Sequence, residues 1–139
     1  MSESPHEFAY VYTCYDPMIR DEILSYCDKR FGKENYFFDS DPGGAKNLVF
    51  ARDPHDTDFV LYKMQLAAKV HPYTAVLLVN HSICGAYADA GMIFTAPDLE
   101  TAYHKTQLET AVGLLKDKLS PGIRIEHHYF LKKEQKFAW

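Results

Sequence analysis

The sequence predicts an α/β fold, a mainly parallel four-stranded sheet flanked by helices, with residues 1–139 forming a single domain. Two observations carry this. Strand-like runs alternate with helical stretches along the chain, which requires crossover connections and parallel pairing. Residues 74–79 (TAVLLV) also form a nearly unbroken apolar run, the pattern of a strand covered on both faces.

The elements follow in order. Residues 8–14 (FAYVYTC) are β-rich and read as the first strand. Asp16-Pro17 then starts a helix, with Asp as N-cap and Pro at the first helical position. Ile19, Ile23, Leu24 and Cys27 recur at helical spacing, and Gly32 stops the helix. Tyr36-Phe37-Phe38 supplies a second strand, followed by the turn signal Asp41-Pro42-Gly43-Gly44. After a less regular stretch around Leu48-Val49-Phe50, Phe59, Val60, Met64, Leu66 and Ala67 read as a second helix starting near Asp56, closed off by Pro72. The apolar strand 74–79 comes next, with His81 at its end and Cys84-Gly85-Ala86 opening a further helical stretch. Pro97-Asp98 begins a long helix reaching Leu119, and residues 123–131 form the last strand.

Composition excludes several classes. Hydrophobic residues make up 47% of the chain and charged residues 24%, the balance of a soluble globular protein. The formal charge is −4 and the longest basic run is Lys132-Lys133, so nucleic acid is not an expected partner. No apolar run approaches the roughly 20 residues that span a bilayer, and the polar, acidic N-terminus is unlike a secretory signal. Three cysteines, an odd count, argue against a disulfide framework and point to a reducing, cytoplasmic setting with free thiols.

The chemistry concentrates at two strand ends. Cys14 and His81 each fall where a strand stops, and Cys84 follows His81 by three residues. If the two strands are neighbours, two thiolates and one imidazole converge on one edge of the sheet. That donor set suits zinc (Zn2+) and leaves a fourth position open. A helix N-terminus also favours the thiolate form of Cys84. Asp16, two residues after Cys14, faces the same side if the chain is still extended there. The Cys14-to-Arg20 segment also spells the Cys-x5-Arg skeleton of a cysteine phosphatase. Pro17 would remove one amide donor from such a loop, and Asp16 would set a negative charge against phosphate.

Thr13-Cys14-Tyr15-Asp16 and Asn80-His81-Ser82-Ile83-Cys84-Gly85-Ala86 resemble the two zinc motifs of the β-class carbonic anhydrases, in order, spacing and strand–helix context. The resemblance implies zinc held by Cys14, His81 and Cys84, a lyase activity that hydrates carbon dioxide to bicarbonate by zinc-bound hydroxide, and a homodimer. Asp16 would accept a hydrogen bond from that hydroxide or fill the fourth position itself. The family pattern is Cys-x-Asp-x-Arg, and here Met18 stands at the arginine position. Arg20, four residues after Asp16 on the helix, is the expected substitute partner. Two further readings stay open: a non-catalytic relative whose zinc site is closed by Asp16, and a hydrolase of carbonyl sulfide or carbon disulfide. Neighbouring His127 and His128 point to opposite faces of a strand and are read as structural or exposed, Cys27 as core, and Tyr87 as a residue lining the pocket.

Overall fold

A computed structural model describes residues 7–132. Residues 1–6, read above as unlike a leader, and Lys133 of the basic pair lie outside the described residues. Strand β1 (Ala9–Cys14) runs into helix α1 (Pro17–Phe31), and strand β2 (Tyr36–Asp41) follows. A short helix α2 (Lys46–Val49) and a long helix α3 (Pro54–Val70) precede strand β3 (Ala75–His81). Helices α4 (Gly85–Asp89) and α5 (Pro97–Lys118) lead to the last strand, β4 (Arg124–Phe130). All strands pair in parallel in the order β2-β1-β3-β4. The α/β architecture with its parallel four-stranded sheet is therefore the one the sequence predicts.

The order makes β1 and β3 the inner strands, hydrogen-bonded to each other with Thr13 opposite Val79. Every residue of both is buried, which explains the unbroken apolar run of β3. Side chains alternate between two cores. Tyr10, Tyr12, Val76 and Leu78 pack against Val60 and Met64 of α3 and Leu108, Ala111 and Leu115 of α5. Ala9, Val11, Ala75, Leu77 and Val79 pack on the other face against Ile19, Ile23, Cys27 and Phe31 of α1. Those four α1 residues recur every four positions, so one stripe of the helix is buried along its length. Cys27 belongs to this stripe, as expected, and burial pushes its thiol pKa up to about 12.

Two details differ from the sequence reading. Helix α3 starts at Pro54, not Asp56, because Asp53 caps it by accepting a hydrogen bond from the His55 amide at 2.9 Å. This Asp-Pro start repeats the one at Asp16-Pro17, where Asp16 Oδ1 accepts from the Met18 amide at 2.9 Å. Phe59 and Leu66 are exposed, since the buried stripe of α3 is Val60, Met64 and Ala67. Among the described residues, no helix is long and apolar enough to cross a membrane.

The turn after β2 presses back onto the end of β1. Gly43 and Gly44 both have positive φ, +80° and +52°. A Cβ on Gly44 would sit 2.8 Å from the Cys14 amide nitrogen and 2.8 Å from the Thr13 carbonyl carbon. Only glycine allows the backbone to approach the strand end this closely.

Candidate metal centre

Parallel pairing of β1 with β3 puts their carboxyl ends side by side, where open α/β sheets collect ligands. Cys14 ends β1, His81 ends β3, and Cys84 caps the N-terminus of α4. Their ligating atoms all lie within 4.8 Å of one another, and all three residues are buried. This group can hold a metal ion.

The details of each donor fit that role. His81 Nδ1 lies 2.7 Å from the Ser82 carbonyl oxygen, which can only accept, so Nδ1 carries the proton. Nε2 is left with a free lone pair, buried and without a hydrogen-bond partner. A fixed tautomer with an orphaned, buried nitrogen is the arrangement a metal-binding imidazole needs. The two sulfurs are 3.9 Å apart. The Cys84 thiol, donating to Cys14, favours the Cys14 thiolate; burial opposes this, while the Gly43 amide (3.3 Å from Sγ) adds to it. The Cys14 pKa therefore falls, and that of Cys84 rises because its proton is held by the anion beside it and by burial.

Asp16 stands at the rim. Its Oδ2 is 3.9 Å from His81 Nε2 and accepts a 2.6 Å hydrogen bond from Lys132 Nζ. Burial raises its pKa, but the Lys132 ammonium and the Met18 amide outweigh this, so the carboxyl stays below its ordinary value and is ionised at neutral pH. Arg20 does not take the expected place. It is exposed on α1, beside a smaller cavity, and among the described residues the cation that pairs with Asp16 is Lys132. The reason is local: as N-cap, Asp16 folds back onto the Met18 amide rather than reaching along the helix to the next turn.

Family models and curated protein sequences give no match to this chain.

The cluster opens into a cleft of about 1350 Å³. Its walls carry the exposed apolar side chains Tyr15, Met18, Phe50, Phe59, Ile83 and Ile93. Ile83 sits between His81 and Cys84 with φ +55°, in the left-handed region that β-branched residues avoid. Glu100 of α5 holds it there, accepting the Ile83 amide at 2.8 Å. Strain of this kind at a ligand loop persists only where neighbours enforce it. Sequence reasoning missed Lys132, Ser82, Glu100 and the Gly43 amide. Lys132 was visible only as half of the basic pair, Gly43 as part of a turn signal and Ser82 as a position inside the His81–Cys84 motif, whereas Glu100 gave no signal.

Tyr87 does not line the cleft. It is buried beneath the cluster, where Asn80 donates to its hydroxyl at 3.3 Å. Asn80 also donates to His104 Nδ1 at 2.9 Å, and His104 is fully buried against Tyr87 and Tyr129. His127 is exposed, whereas His128 packs on Tyr26 and Phe130, one exposed and one structural as the sequence allows.

Burial, with a smaller contribution from His81, lowers the His104 pKa from its ordinary value to about 4. Neutral His104 thus stabilises the fold fully above the unfolded pKa. As pH falls from about 6.5 toward 4, the unfolded chain takes up the proton first and that stability is lost. Titration of His104 followed by NMR should show no protonation above pH 5, and its contribution to urea stability should drop by about 2 kcal/mol between pH 7 and pH 5. An imidazole that titrates near 6.5 would mean the site is not closed to water.

Proposed function

We propose that the protein is a zinc-dependent hydratase of carbon dioxide, with Cys14, His81 and Cys84 as zinc ligands and Asp16 as a hydrogen-bond acceptor beside them. The observation that carries this reading is the meeting of a Cys–His–Cys set from two adjacent strand ends with an ionised Asp16 facing the same space. On tetrahedral zinc, with Zn–S bonds of about 2.3 Å, two thiolates lie about 3.8 Å apart. The 3.9 Å between Cys14 and Cys84 Sγ supports zinc as the ion.

Zinc, when bound, supplies a Lewis acid that lets water ionise near neutral pH. The chain supplies the rest. Ser82, through its carbonyl, fixes the His81 ring, and the Gly43 amide neutralises part of the Cys14 charge. Asp16 can accept a proton-bearing group at Oδ2 and so orient an attacking oxygen. The exposed apolar side chains along the cleft suit an uncharged, weakly hydrated substrate.

Stopped-flow hydration of carbon dioxide, on protein of confirmed zinc content, tests the proposal. The rate should climb with pH as the attacking water ionises. A fully metal-loaded protein that is inactive at every pH would remove the hydratase reading.

A second reading has its own support, a closed structural site with Asp16 as fourth ligand. The 3.9 Å between Asp16 Oδ2 and His81 Nε2 is only slightly longer than the spacing of two ligands on one ion, about 3.4 Å for oxygen and nitrogen on zinc. Against it, both carboxylate oxygens already accept hydrogen bonds, from Met18 and Lys132.

A further inference from the structure

The two readings of the site place the Asp16 carboxylate differently, beside the cluster in one and within it in the other. We propose that Lys132 is a positioning residue, whose ammonium holds Asp16 back from the Cys14–His81–Cys84 cluster and keeps a fourth coordination position open to solutes. This rests on the metal-centre reading of that cluster.

The placement of Lys132 is built, not incidental. Beyond the end of β4, the Lys132 amide donates to Ser82 Oγ at 2.7 Å, and the Ser82 amide donates to the Phe130 carbonyl at 2.9 Å. These bonds stitch the chain after β4 to the loop that carries His81 and Cys84. The Lys132 side chain is only 5% exposed, and its Nζ reaches Asp16 Oδ2 at 2.6 Å across 116 positions of sequence. Asp16 Oδ1 is occupied by the Met18 amide, so the ammonium and the helix cap together fix both oxygens.

The energetics give the ammonium control of the carboxylate. Asp16 side-chain exposure is 15%, so without Lys132 its negative charge would be mostly buried and lack its cation. A metal ion in the cluster is then the nearest compensating charge. Oδ2 needs to move only about 0.5 Å nearer His81 Nε2 to reach ligand spacing on a tetrahedral ion. Removing the ammonium therefore closes the site, and keeping it leaves the fourth position free.

The test uses cobalt(II) in place of the native ion, because its d–d absorption reports coordination directly. Thiocyanate, titrated into the cobalt-loaded chain, should bind at the open position and shift those bands. Lys132→Met should weaken thiocyanate binding about tenfold or more, and Lys132→Arg, which keeps the charge, should stay within about threefold of wild type. The Lys132→Met change also removes a positive charge that could attract an anion by itself. Adding Asp16→Ala to Lys132→Met separates the two causes, since deleting the closing carboxylate should restore thiocyanate binding without restoring the charge.

Unchanged affinity in Lys132→Met overturns the proposal. So does a loss that Asp16→Ala fails to rescue, which would reduce Lys132 to a simple anion attractant. Absence of the sulfur-to-cobalt charge-transfer band in wild type would overturn the metal centre and this role together. Thiolate-bound cobalt in a protein whose zinc form does not hydrate carbon dioxide would overturn the hydratase alone, and the thiocyanate titration would still decide the role of Lys132.

Discussion

Cys84→Ser should reduce bound zinc from about one ion per chain to a trace and bring carbon dioxide hydration down to the uncatalysed level. The argument is one of donor chemistry. Serine keeps nearly the shape of cysteine, but its hydroxyl stays protonated at neutral pH and is a poor partner for zinc. The substitution also removes the thiol that donates to Cys14 across 3.9 Å, so the remaining sulfur loses much of its preference for the anionic form. Stability should follow the metal. Zinc at about 1,000 times its dissociation constant adds about 4 kcal/mol to the folded state, or roughly 10 °C in Tm for a chain of this size. Elemental analysis and calorimetry, each with and without chelator, provide the measurement. Wild type stripped of metal should melt close to Cys84→Ser, because the serine itself strains nothing. Full zinc retention in the variant would count decisively against the ligand set.

Gly44→Ala should destabilise the fold by about 3–4 kcal/mol, the sum of a left-handed backbone cost near 1 kcal/mol and the relief of a severe overlap. The added Cβ meets Cys14 N and Thr13 C at 2.8 Å, and both are backbone atoms of an inner strand that cannot rotate aside. Whatever gives way displaces the end of β1, and the Cys14 sulfur with it. Zinc affinity should therefore weaken as well, although Gly44 touches no ligand atom of the centre. Gly122→Ala is the control: nothing lies within 4 Å of the place its added methyl would take, and its φ is not in the left-handed region. Urea unfolding of the pair should separate them by several kcal/mol. A Gly44→Ala protein within about 0.5 kcal/mol of wild type would show that the close approach is absent in solution.

Most of the fold was legible because its signals are local. The Asp-Pro helix start at residue 16, the apolar run of β3 and the glycine turn each announce themselves within a few residues. The Cys14, His81 and Cys84 group was legible for the same reason, as each lies at an element boundary. The cation that pairs with Asp16 was not legible, because it depends on strand order. Arg20 was chosen by the i, i+4 rule, which is a statement about one helix. The actual cation, Lys132, reaches Asp16 only because β4 lies beside β3 in the sheet. In α3, apolar residues occur in adjacent pairs, Phe59-Val60 and Leu66-Ala67, and periodicity alone gave no way to choose the buried member of each. Tyr87 was misjudged in a similar way: closeness to Cys84 in sequence does not reveal that its ring turns inward toward Asn80.

The interior position of β1 and β3 has a kinetic consequence. Partial opening of a protein begins at frayed edges, and here those are β2 and β4. Neither event separates Cys14 from His81, because the seam between their strands stays intact until the sheet comes apart as a whole. The spacing of Cys14 and His81 is therefore held through every opening that the edges of the sheet undergo.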